Sequence, residues 1–178
     1  MAAVTSGVFP VVVRNVPTGK VYSILLLLHV GCAVVGFGAL VVTGFQARRA
    51  RRGPTGPGAE AVGRYFRPGV NWAARALYGV PVFGFALVSA SNGVFSASDG
   101  FVVAGLGLWS LATVVAEAVV WPGERRIQAA VAQHWTTTSA PTDTPDRRFD
   151  LDCRRVAVSA LVLAGVFLAA VVLMVAQP

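Results

Sequence analysis

Four stretches of the chain stay apolar for long enough to cross a bilayer, and no other feature narrows the fold as much. They run from about Val21 to Phe45, Trp72 to Phe95, Phe101 to Trp121 and Val156 to Ala176. A hydrocarbon core of ~30 Å takes roughly 20 helical residues, and each stretch reaches that length. None alternates apolar and polar residues as a barrel strand does, so the backbone polar groups have to be satisfied inside helices. The expected fold class is all-α: a polytopic membrane protein built as a four-transmembrane-helix bundle. The 178 residues are 55% apolar and 13% charged, with mean hydropathy +0.65, against about 25% charged residues in soluble domains.

The first stretch is too long for the h-region of a signal peptide; no A-x-A site follows it and no basic n-region precedes it, so it is expected to be retained. Residues 1–20, with Pro10 and Pro17 breaking a β-branched run, read as an extracytoplasmic arm ahead of a membrane domain spanning 21–176. Arginine sets the orientation. The loop 46–71 carries Arg48, Arg49, Arg51, Arg52, Arg64 and Arg67, and the loop 122–155 carries Arg125, Arg126, Arg147, Arg148, Arg154 and Arg155. Arg14 and Lys20 are the only basic residues on the other side. By the positive-inside rule both long loops face the cytoplasm of a plasma membrane and both termini lie outside. The formal charge of +7 is thus mainly a topology signal. RRARR beside a span reads as an anchor touching anionic lipid rather than as a nucleic-acid site.

Local punctuation is expected as follows. Asn71 caps the second helix, Trp72 and Trp121 sit at the cytoplasmic interface with their indole N–H groups wet, and Pro122 with Gly123 ends the third helix. In ERRIQAAVAQHW, Ile127, Ala130, Val131, His134 and Trp135 fall at i, i+3, i+4, i+7 and i+8, the pattern of a short helix lying on the membrane surface. TTTSAPTDTPD reads as a disordered linker and GPTGPG as a flexible turn. Pro81 kinks the second helix, because it lacks an N–H for the carbonyl of Leu77 and crowds it. Gly31, Gly36, Gly38, Gly44, Gly105, Gly107, Ala160, Ala164 and Gly165 mark faces where helices approach closely.

Any chemistry has to come from polar groups set in hydrocarbon, which are costly there. They are His29, Cys32, Arg75 and Glu117, with Ser89, Ser91 and Asn92 near the outer end of the second helix. Arg75 and Glu117 both fall ~5 Å below the inner boundary at 1.5 Å per residue, so they are expected to pair, with a proton-relay carboxylate at Glu117 as the alternative reading. His29 falls ~12 Å deep, with Cys32 one turn along the same face. A bis-histidine haem needs a second histidine at similar height, but His134 falls in the cytoplasmic loop and Met174 nearer the outer surface. A histidine bonded to a serine or carbonyl of a neighbouring helix is the simpler reading, and no cofactor or metal is expected. PTGK lacks the spacing of a phosphate loop, no nucleophile triad or CxxC is present, and Cys32 and Cys153 fall in different compartments, so no disulfide is expected.

LLLLHVGCAVVGFGALVVTGFQARRARR, YFRPGVNWAARALYGVPVFGFAL and LWSLATVVAEAVVWPGERRIQ together resemble a family of small four-span bacterial membrane proteins of unknown function, of the kind found in actinobacterial proteomes. The likeness runs from about Tyr22 to Gln128 and is most specific in FRPGVNWAARALYG and WPGERRIQ. It implies the four-helix topology and a histidine in the first helix, and it transfers no catalytic residue or ligand. The likeness to copper-resistance four-helix membrane domains is architectural. The function expected is that of a non-enzymatic accessory or scaffold protein, in contact with lipid and packing on another membrane protein or a second copy. Two alternatives stand beside it: a small-solute transporter with His29 and Glu117 in the path, and a haem- or copper-binding electron-transfer protein.

Overall fold

The computed structural model describes residues 19–53, 58–134 and 147–176; the N-terminal arm, most of GPTGPG and TTTSAPTDTPD fall outside them. The described chain is an all-α four-helix bundle. Helix α1 is Lys20–Ala50, α2 is Ala59–Tyr65, α3 is Trp72–Arg75 and α4 is Gly79–Ala90; α5 is Gly100–Val115, α6 is Trp121–His134 and α7 is Arg147–Ala176. A 3₁₀ turn, Ala76–Tyr78, joins α3 to α4, and a π-helical turn, Ala116–Val120, joins α5 to α6. Four continuous helices are long and apolar enough to cross a membrane: Lys20–Ala50, Trp72–Ala90, Gly100–Gln133 and Arg147–Ala176.

Three of these run well past the lengths expected. At 1.5 Å per residue, helices of 30 to 34 residues are ~45–51 Å long, and the hydrocarbon core is ~30 Å. The surplus lies at the arginine-rich end, where α6, the start of α7 and the end of α1 stand together with α2. There the core is densest: Ala47, Ala50, Val62, Phe66, Ile127, Val131, Cys153 and Val156 are all buried. Ile127 and Val131 therefore face the bundle rather than a membrane surface, because α6 is the continuation of the third span.

Pro122 and Gly123 do not end that span. Proline cannot donate to the carbonyl four residues back; the helix widens to π just before it, an adjustment that lets a spanning helix re-satisfy freed backbone groups. Gly123 serves packing, since a Cβ there would lie 2.4 Å from Val156 Cγ2 on α7. The second span stops at Ala90 rather than at Phe95. Ser91 Oγ donates to the Val88 carbonyl and accepts from Phe95 N–H, and Asn92 and Gly93 adopt φ of 53° and 83°, a left-handed pair that reverses the chain.

Around the bundle the order is second, first, fourth, third span. Helix α1 packs most extensively on α7 and α4, α5 packs on α7, and α4 barely meets α5. Close approach depends on glycine. A Cβ on Gly36 would meet Leu77 N at 2.7 Å, and one on Gly44 would meet Ala160 Cβ at 2.1 Å. Phe37 and Phe167 stack at 5.0 Å between the first and fourth spans. Of the other small residues expected at interfaces, Gly31, Gly38, Gly107 and Gly165 have nothing within 4 Å of a built Cβ.

Candidate functional site

The polar groups fall into three places along the seam between the second and third spans and its neighbours. The first lies around His29. Its Nδ1 lies 2.9 Å from the Val80 carbonyl; a carbonyl only accepts, so Nδ1 donates. The imidazole lies against Gly84, where a Cβ would meet His29 Cε1 at 3.2 Å, and Cys32 Sγ lies against Gly79, where a Cβ would meet it at 2.6 Å. Both side chains thus face α4, and two glycines on α4 make the room. Met174 lines the same cavity as His29. Among the described residues no three His, Cys, Asp or Glu side chains converge as a metal site.

Pro81 leaves the Leu77 carbonyl without its helical donor, as expected, and Trp109 Nε1 donates to that carbonyl at 2.9 Å. A residue of the third span so repairs a defect of the second.

The second place is the pair of Arg75 and Glu117. Arg75 Nη1 is 3.8 Å from Glu117 Oε1, and the Tyr78 hydroxyl donates to the same oxygen. The Arg75 guanidinium lies 3.5 Å above the Trp121 ring, and Tyr78 packs against that ring at 5.8 Å. Trp121 is only 4% exposed, with Nε1 buried and without a hydrogen-bond partner among the described residues. It is not the wetted interface residue expected: it serves as the platform for Arg75, a cation–π arrangement strengthened by desolvation. Trp72, in contrast, stands exposed at the start of α3. Glu117 projects from the π-helical turn with its side chain 52% exposed, on the outer wall of the bundle. Glu117→Gln is expected to destabilise the fold, and adding Arg75→Gln to restore part of the loss, with a coupling of about 1 kcal/mol. Unfolding of the two single variants and the double variant in mixed micelles measures it; additive losses would sink the pairing.

The third place is a buried polar knot at the arginine-rich end. Thr43 donates to the Ala39 carbonyl, which uses its one hydrogen, so the Tyr65 hydroxyl donates to Thr43 Oγ1 at 2.6 Å. Asn71 Nδ2 donates to the Tyr65 hydroxyl at 3.3 Å and to Glu124 at 3.5 Å, while Asn71 Oδ1 accepts from Ala74 N–H. Asn71 is therefore the expected N-cap and also the point where α1, α2, α3 and α6 meet. Burial, chiefly, pushes the Tyr65 phenol up from its ordinary value. Glu124 is 6% exposed, and the neighbouring Gln128 donates to the Gly69 carbonyl.

Around the knot the arginines stand exposed, and two of them do more than mark topology. Arg51 forms a two-bonded pair with Asp150 at 2.6 and 3.3 Å, and Arg126 bonds Asp152 at 2.8 Å, tying α1 and α6 to the first turns of α7. Arg49 lies over the Phe45 ring at 4.5 Å. Arg48, Arg52 and Arg125 are exposed beside them.

Comparison with protein-family models, curated proteins and solved structures finds no match to the chain.

Sequence reading missed Thr43, Tyr65, Glu124 and Gln128, and also Trp109 as the partner of Leu77. Tyr78 had a readable signal, one turn from Arg75 on the same helix face. The knot had none, since its bonds join residues 22 and 53 positions apart.

Proposed function

We propose that the chain is a non-enzymatic accessory or scaffold subunit of a plasma membrane, oriented with its arginine-rich end in the cytoplasm, that packs against another membrane protein. The observation that carries this reading is the position of Glu117. A carboxylate paired with Arg75 and Tyr78 on the outward wall of a span is costly against lipid, and a partner helix that supplies further donors there lowers the cost. A π-helical turn at the same place also fits, since such turns frequently mark functional positions. A solute path would need His29 and Glu117 in one passage, but Glu117 is not among the residues lining the cavity of His29. The exposed glycines Gly38, Gly107 and Gly165 leave further shallow surface for close helix approach.

Native mass spectrometry of the protein gently extracted from its own membrane tests the reading. A second polypeptide retained on the 18.5 kDa chain, and lost from Glu117→Leu while the bundle stays folded, is the expected result. A bare monomer in the unsubstituted protein would overturn it, and a mass of whole multiples would make the partner a second copy.

A further inference from the structure

The half of the bundle away from the arginines is not closed. Between α4 and α5, and backed by α1 and α7, lies a cavity of about 160 Å³. Its lining is almost wholly apolar, with Phe85, Phe101, Trp109 and Tyr22 among its walls and Met174 at α7. Two glycines open it: Gly84 gives the imidazole its place against α4, and Gly105 leaves Met174 Cε just 3.0 Å from where a Cβ would stand. An apolar cavity of ~150 Å³ stays dry and takes a molecule the size of benzene. This one differs in holding a histidine whose hydrogen-bonding state is fixed.

His29 Nδ1 is committed to the Val80 carbonyl. In the neutral imidazole the other nitrogen, Nε2, then keeps a lone pair and can only accept, and it bonds no described residue. The Trp109 N–H in the wall is committed to Leu77, and the Tyr22 hydroxyl, also in the wall, can donate or accept. The polar demand left by His29 is for a donor, in a site of ring size with aromatic walls. We propose that this cavity binds a ring-sized apolar molecule bearing a hydroxyl, of the phenol or quinol class, whose O–H donates to His29 Nε2. An oxidised ring, with carbonyls in place of hydroxyls, offers only acceptors and is disfavoured at that nitrogen. The site stands independently of the accessory reading.

The chain has two methionines, Met1 and Met174, so ¹³C-methyl methionine labelling places a probe in the cavity almost alone. The full chain in lipid nanodiscs would be titrated with phenol, methoxybenzene and benzene, each corrected for its partition into empty discs, with Met174→Leu assigning the signal. The expected result is a saturable shift of the Met174 methyl at concentrations about tenfold lower for phenol than for methoxybenzene, the ratio one added hydrogen bond gives. His29→Phe should bring that ratio to about one. The ¹⁵N signal of His29 Nε2 in the unsubstituted protein should move with phenol and not with methoxybenzene, which reads the bond even where His29→Phe fails to fold. Equal responses to phenol and methoxybenzene, or no saturable shift with any probe, would overturn the proposal.

Discussion

Gly36→Val is expected to be among the most damaging single substitutions in the spans, at about 3 kcal/mol, the upper part of the ordinary range for overpacking. The contact explains the size. A Cβ at 36 would lie 2.7 Å from Leu77 N and 3.0 Å from Leu77 Cα, and a backbone cannot swing aside as a side-chain tip can. The second span would have to move off the first, and Leu77 is also where Trp109 ties in the third. Gly38→Val, two residues on, meets nothing within 4 Å and is expected to change stability by less than about 0.5 kcal/mol. Unfolding midpoints of the two variants in the same mixed micelles decide the matter; similar losses would mean that helix propensity rather than packing sets the cost.

Asn71→Ala is expected to cost nearly as much for a different reason. It removes an N-cap, about 1 kcal/mol, and takes donors from the Tyr65 hydroxyl and the buried Glu124 carboxylate, leaving polar groups unsatisfied at about 1–3 kcal/mol. The total is about 3 kcal/mol. Asn71→Ser separates the two parts, because a serine caps the helix but is too short to bridge to Glu124. It should recover about 1 kcal/mol of the loss. Full recovery by serine would show that the knot contributes nothing beyond the cap. The effect should also be seen far from residue 71, as faster amide exchange in α2 and α6, which the knot joins to α1.

These two positions differ in how they read in the sequence. Asn71 before an apolar run is a visible cap, and that part of its role was legible. Its bonds to Tyr65 and Glu124 were not, since they depend on α2 folding back and on the third span continuing past Pro122. Gly36 stood in a group of nine small residues with no mark to distinguish it from Gly31 or Gly38. Helix-facing is a property of the rotation of α1 about its axis, and an almost uniformly apolar helix carries no polar face to fix that rotation.

His29 shows the same boundary. Its face followed from helical geometry, with Cys32 one turn along on it. That Nδ1 meets the Val80 carbonyl, with Met174 across the cavity, required knowing how α1, α4 and α7 are staggered.

The sequence by itself determined the fold class, the number of spans, the N-cap at Asn71, the defect at Pro81 and the pairing of Arg75 with Glu117. Each of these follows from backbone hydrogen bonding in hydrocarbon or from a spacing of a few residues. The tertiary structure decided that Trp121 is buried under Arg75, that the third helix runs through Pro122 to His134, that Thr43, Tyr65, Asn71 and Glu124 form one network, and that a cavity opens at His29. Those outcomes rest on contacts between residues distant in the chain, set by which glycines let which helices approach, and apolar periodicity carries no record of that choice.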